Sequence, residues 1–400
     1  MKNKIYLLVI ILMINLFNSK LLYGQDYVEL GDVAVTCAST LGPSADLETN
    51  YVLGTIKIQN WMTDAPTGSH WSTVVFNHGP AGNEWTRANL GEVFGQAIDI
   101  RGNIFAAATS IYGPFPFDET NPGGGVYKID AETGIPTLVA SLPNSPGPMV
   151  VEQANTFNSV TLPSEYPGLG NIAYSPWHGQ IYVSNFEDGK IYQLDTLGKT
   201  LNVFDPMGQD DGAPGFAPRG ERVWGMYVFG TSRDDAILYY GTWGEDFGTQ
   251  VTDNTIRSVK LDAFGAFIPN TDQLELTMPK YSRDSRTAQA IIDTRENYSN
   301  PVSDLLISQD GLRMILAQRS MQYDSKDALA FSNKSAHRSR VIEYSRTAIG
   351  KPWVAEDLNK FQLGTEEVDL SPSTFNSNSA GGLDWGYLSV APDGNSLIGR

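Results

Sequence analysis

Residues 168–206 read GLGNIAYSPWHGQIYVSNFEDGKIYQLDTLGKTLNVFDP, and short apolar strands alternate with turns throughout the stretch. The strands are IAYSP, QIYVSN, KIYQLDT and LNVFD, joined by His178-Gly179, Asp188-Gly189 and Leu197-Gly198-Lys199. A glycine in each turn supplies the positive φ that tight hairpins demand. A small antiparallel sheet of this kind can bury both faces only against neighbours of the same kind.

The unit returns along the chain. It appears as QAIDIRGNIFAAATS at Gln96, NIAYSPWHGQIYVSN at Asn171 and GMYVFGTSRDDAILYYGT at Gly225. It comes again as DLLISQDGLRMILAQR at Asp304 and GYLSVAPDGNSLIGR at Gly386. Such recurrence predicts an all-β chain folded as a β-propeller of about five four-stranded blades. The last unit stops after two strands, whereas GTIKIQN and STVVFNH near the N-terminus have no partners before them. Two expectations follow: either these strands complete the final sheet and close the ring, or the chain is the front of a longer surface protein.

The first residues carry a targeting signal. Lys2 and Lys4 precede an apolar run from Ile5 to Phe17, followed by a more polar stretch to Gln25, the pattern of a secretory signal peptide. The run falls short of the ~20 residues that a bilayer span needs, so an integral membrane protein is not expected. The predicted organisation is a signal peptide at 1–25, a lead-in segment at 26–50 and a propeller domain at 51–400. The Tyr23-Gly24-Gln25 ending resembles signal peptides of Bacteroidota and implies an extracellular or cell-surface location, with the periplasm as the alternative.

Composition bounds the partners. The formal charge of −17, from 45 acidic residues against 28 Lys and Arg, becomes −20 once Lys2, Lys4 and Lys20 leave with the signal. Nucleic acid is excluded as a partner by that sign. A single cysteine, Cys37, forms no internal disulfide, so stability must come from burial.

Insertions recur at one place in the unit, between its second and third strands. Those loops emerge on one face of a propeller and would build a binding rim of Tyr112, Phe115 and Phe117, then Trp243, Asp246 and Phe247, then Tyr323. Residues before each innermost strand converge on the channel mouth: Gln96, Asn171, Trp224, Asp304, Asp384 and Trp385. Tryptophans beside carboxylates there can stack on a sugar ring and accept its hydroxyl hydrogen bonds, or simply pack around the axis.

The blade quoted first, with PGLGNIAYSPWHGQIYVSNFEDGKIYQLD, resembles the repeat of NHL-like and gluconolactonase-like propellers. In the gluconolactonase group that resemblance implies a divalent cation, usually calcium, held in the channel for lactone hydrolysis. The ligands do not carry over: Gly170 precedes Asn171, and Asn185 stands where a later Asp is expected. No cofactor is therefore predicted, although an acidic surface of this kind can gather cations such as calcium. His70, His78, His178 and His337 lie far apart, and no nucleophile elbow or phosphate loop is present. The sequence predicts a binding module for an extracellular protein or glycan, with a cation-dependent hydrolase as the alternative.

Overall fold

The computed structural model describes residues 33–36, 51–58, 74–109, 122–152, 159–208, 217–218, 220–244, 253–279, 301–319 and 340–356. An N-terminal sheet is made of β1 (Val33–Thr36), β2 (Leu53–Ile58) and β3 (Val74–Asn77). A single turn of helix, α1 (Arg87–Leu90), leads from it to the first four-stranded sheet. That sheet comprises β4 (Glu92–Ile98), β5 (Ile104–Thr109), β6 (Gly125–Ile129) and β7 (Pro136–Ser141). A hairpin of β8 (Gly147–Glu152) and β9 (Ser159–Glu165) follows.

The second blade holds β10 (Leu169–Ser175), β11 (Gln180–Asn185), β12 (Ile191–Asp195) and β13 (Thr200–Phe204). The third holds β14 (Arg222–Phe229), β15 (Ile237–Trp243), β16 (Thr255–Lys260) and β17 (Gln273–Thr277). The fourth holds β18 (Val302–Ile307), β19 (Arg313–Gln318), β20 (Arg340–Ser345) and β21 (Val354–Ala355). Each is an antiparallel meander in chain order, and the chain folds as a β-propeller with four complete blades among the described residues.

Two elements go beyond the sequence reading. The segment 26–50 is more than a lead-in, because it contributes β1, whose Val33 to Thr36 pair with Ile56 to Leu53. The β8–β9 hairpin was not anticipated; it lies between the first and second blades rather than inside one. The fifth repeat at Gly386–Arg400, and with it the closure of the ring, lies outside the described residues.

The apolar core is divided among seams between successive sheets. Phe105, Ala107 and Val126 of the first blade pack with Leu169, Ile172, Ile181 and Val183 of the second. Tyr182 and Ile191 meet Val223, Met226 and Leu238 in the next seam. Ile256 and Tyr239 meet Val302, Leu305 and Leu316 in the one after. Second strands are therefore buried on both faces, which explains the unbroken apolar run IFAAAT of β5.

The innermost strand of each of the four complete blades carries a register slip: Val93/Gln96, Leu169/Ile172, Val223/Met226 and Val302/Asp304. Bulges there bring neighbouring backbones together. A Cβ on Gly95 would stand 2.6 Å from the Asn171 Cα, and one on Gly225 would stand 2.8 Å from the Asp304 backbone nitrogen. Glycine is required by close approach at these two positions, not by a turn.

A second recurrent device latches blade to blade. In Asp99–Asn103, Asp195–Lys199 and Asp262–Ala266 the aspartate Oδ1 accepts from the backbone N–H groups two and four residues on, at 2.8–2.9 Å. The fourth residue of each is a glycine at positive φ. The turn at Asp262 leans on the preceding blade: the Tyr182 hydroxyl donates to the Gly265 carbonyl at 2.7 Å, and Gln193 Nε2 donates to that of Phe264 at 3.3 Å.

Candidate functional site

In a four-stranded meander the first and third turns share one end of the blade, while the second turn and the link to the next blade share the other. The first and third turns here are short, as at 99–103, 195–199 and 308–312. The long connections, including the β8–β9 hairpin and the stretches 110–124, 205–221, 244–254 and 319–339, all leave from the opposite, wide face. The start of every innermost strand, and so the channel mouth, opens on that wide face.

At the mouth, Asn171 and Asp304 come together from blades that are not neighbours in sequence. Asn171 Nδ2 donates to Asp304 Oδ1 at 3.0 Å and to the Ser303 carbonyl at 3.2 Å. Asp304 Oδ1 also accepts from the Leu305 N–H at 2.9 Å. Gln96 donates instead through Nε2 to the Ala34 carbonyl of β1 at 2.8 Å. Asp384 and Trp385 lie outside the described residues.

Trp224 is completely buried, with 0% of its surface exposed, and so is Trp243. Their ring centroids are 5.4 Å apart, and Phe94 and Phe186 meet Trp224 edge-on at 5.0 and 5.7 Å. The Arg222 guanidinium lies over the Trp243 ring at 4.8 Å. This cluster spans three blades, and it corrects the expectation of an open rim at Trp243. The residue ends β15 just before the insertion, so its indole closes inward on Phe186 of the second blade. Of the other rim residues, Tyr112, Phe115, Phe117, Asp246, Phe247 and Tyr323 lie outside the described residues.

The cluster is apolar on its faces but not at its edges. Trp224 Nε1, Trp243 Nε1 and Asn254 Nδ2 are buried and find no acceptor among the described residues. Asn254 uses its Oδ1 to receive the Gly244 N–H at 2.7 Å, which places its amide beside the end of β15. Each buried donor left unmatched costs about 1–3 kcal/mol.

Beside it, the loop after β11 is stitched to the link that follows β7. Asn144 Nδ2 donates to Asn185 Oδ1 at 2.9 Å, and Asn185 Nδ2 donates to the Pro143 carbonyl at 2.7 Å. The Ser145 N–H donates to the Glu187 carboxylate. Burial pushes Glu187 above the ordinary carboxylate value, against the lowering by that N–H. Asp188 is also raised by burial, although it receives the Tyr192 hydroxyl at 2.5 Å and the Lys190 N–H at 3.0 Å. These bonds account for Asp188 as a hairpin residue, and Asp310 likewise receives the Leu312 N–H at 3.0 Å.

The sign of the Glu187 shift yields a test. A carboxyl whose folded value is raised binds its proton more tightly in the native state, so stability falls as pH rises from the unfolded value through the folded one. Glu187→Gln keeps an acceptor for Ser145 and removes the buried charge. The variant should melt a few degrees above the parent at neutral pH, and the gain should vanish on acidification below the ordinary carboxylate range. Thermal unfolding followed by circular dichroism at the two pH values reads both.

The sequence did not reveal Phe94, Phe186, Glu187 or Asn254 as members of this site. The only signal was NFEDGK itself, in which an aromatic residue immediately precedes a hairpin. Among the described residues, no group of three His, Cys, Asp or Glu side chains is close enough to hold a metal ion. His178 is a turn residue, with Nδ1 2.8 Å from Ser175 Oγ and Nε2 3.1 Å from the Asp262 carbonyl.

No family model matches the chain, and no curated protein matches it. Solved structures that are similar include a nidogen/laminin complex, at 10% identity and TM-score 0.37, over 79% of this chain and 85% of that one. A protein from Lactobacillus plantarum gives 11% identity and TM-score 0.36, with 81% of each chain covered. A gluconolactonase from Xanthomonas campestris gives 13% identity and TM-score 0.32, over 66% of this chain and 64% of that one. At such identities no residue role passes from these proteins to this one.

Proposed function

We propose that the protein is a binding module that takes an extracellular protein or glycan on its wide face. The observation that carries this reading is where the interior stops being apolar. Among the described residues, Glu92, Glu187, Arg222 and Arg319 are buried at the wide-face ends of strands and Arg87 in α1 beside them, alongside the unmatched donors of Trp224, Trp243 and Asn254. Arg87 and Glu92 form an ion pair at 3.1 Å. Among the described residues, the short-turn face holds two buried charges, Asp99 and Arg346, with Arg346 Nη2 and Trp353 Nε1 unmatched beside them, and Glu343 lies within β20. Burying charges costs free energy, so their greater number at the wide end marks the end under functional demand.

The channel itself belongs to the structural part of this reading. Asp304 Oδ1 is held by the Asn171 amide and the Leu305 N–H, so this oxygen already has partners within the fold. Calcium titrated calorimetrically into chelator-treated protein should release no heat at micromolar concentrations. Tight binding abolished by Asp304→Ala would instead support the cation-dependent hydrolase.

The wide face is tested by screening immobilised oligosaccharides and extracellular-matrix proteins, then repeating any positive with Trp243→Phe and Asn254→Ala. Both variants remove an unmatched donor. Binding weakened at least about tenfold in either, with an unchanged far-ultraviolet spectrum, supports the reading. Equal binding by both variants, or none to any member of the screen, removes the wide-face site.

A further inference from the structure

The opposite face presents a different surface. Leu197-Gly198, Phe264-Gly265 and Ile349-Gly350 occupy the turn between third and fourth strands of three successive blades. Their apolar side chains are 78%, 79% and 53% exposed. Ile100, in the first turn of the first blade, is 76% exposed. Trp177, in the equivalent turn of the second, is partly exposed, and its Nε1 donates to the Gly230 carbonyl at 3.1 Å.

Scattered exposed apolar residues need no explanation, but these occupy the tips of turns that topology aligns on one face. Their conformation does not call for apolar side chains. In the turn at Asp262, an aspartate cap and a glycine define the geometry, and the position held by Phe264 points away from the fold.

The charges on this face are of both signs. Asp99, Asp195 and Asp262 direct Oδ1 inward onto backbone N–H groups beneath the tips. Arg101, Lys199 and Lys351 stand exposed beside Ile100, Leu197 and Ile349. Exposed Glu132, Asp234 and Asp310 also lie on this face, so it is not a basic patch for an anionic partner.

We propose that the short-turn face docks peripherally on a zwitterionic lipid surface, with the tips of Ile100, Leu197, Phe264 and Ile349 entering the headgroup layer. Separate convex apolar tips suit a fluid surface, which closes around each of them and needs no matching hollows. Both signs of charge find partners among phosphates and quaternary amines, and cationic stems beside the tips keep their heads in water. The strong overall negative charge of −17 disfavours anionic lipid as the target.

Sedimentation of the whole protein with phosphatidylcholine vesicles tests the proposal, alongside vesicles containing phosphatidylglycerol. The parent should sediment with the neutral vesicles, no more with the anionic ones, and with little response to added salt. Leu197→Glu combined with Phe264→Glu should lower the bound fraction about tenfold. Both positions are exposed, and an unchanged melting temperature would show that the variant is folded. Failure of the parent to sediment, or equal sedimentation of parent and variant, overturns the proposal. So does sedimentation velocity showing a vesicle-independent dimer that the double substitution dissociates, since the tips would then meet a second copy.

Discussion

Gly198→Ala is expected to destabilise the protein by roughly 2 to 4 kcal/mol, the larger part of it from a blade boundary rather than from the turn itself. The residue has φ of +87° and closes the turn after β12, where an L side chain is strained. A Cβ built there would lie 1.9 Å from the Val139 carbonyl oxygen and 2.4 Å from its carbon. Those are backbone atoms of β7 in the preceding blade, so the clash cannot be relieved by rotating a side chain. Either the third–fourth hairpin of the second blade peels outward or β7 yields. Gly179 is the control: its φ is +65°, yet an added Cβ meets nothing within 4 Å. Gly179→Ala should therefore show the conformational penalty alone, about 1 kcal/mol. Urea unfolding of the two variants separates strain from collision. Equal losses would show that the second blade does not rest on β7 through this turn.

That comparison also marks what was readable beforehand. Strand–turn–strand units at Gln96, Asn171, Gly225 and Asp304 were legible because period-2 apolar runs and turn glycines are local signals. Why Gly198 must be glycine was only half legible. The turn gives the positive φ, but the carbonyl of Val139 that forbids a Cβ lies far away in sequence. The same holds for Gly95 and Gly225, which sit in extended strands and are required by a neighbour's backbone. β1 escaped notice because Val33–Thr36 is short and its partner strand lies beyond a long connection.

The site was legible in the same uneven way. Asn171 and Asp304 were placed at the channel mouth by their position before innermost strands, and the structure brings them within hydrogen-bonding distance. Trp243 was read as a rim residue because it borders an insertion. Its burial depends on Phe186, whose position was set by a different blade. A residue at the end of a strand can face either the loop or the seam, and no local pattern distinguishes the two.

Trp224→Ala is the substitution with the largest expected cost, about 3–5 kcal/mol. The side chain is fully enclosed and touches Phe94, Phe186 and Trp243, so its removal opens a cavity shared by three blades. Main-chain links around it resist collapse: Ser184 Oγ donates to the Trp224 carbonyl at 3.1 Å, and the Asn171 N–H donates to Ser184 Oγ at 2.9 Å. Trp224→Phe discriminates between two roles of the indole. It leaves a smaller cavity and deletes a buried N–H that has no acceptor among the described residues, and those effects oppose each other. If the ring serves packing alone, the phenylalanine variant should lose well under half of what the alanine variant loses. A loss equal to that of alanine would mean that the indole N–H makes an indispensable bond, and the wide-face reading would lose one of its unmatched donors. Urea unfolding of both variants, with near-ultraviolet circular dichroism to follow the coupled tryptophans, decides between these outcomes.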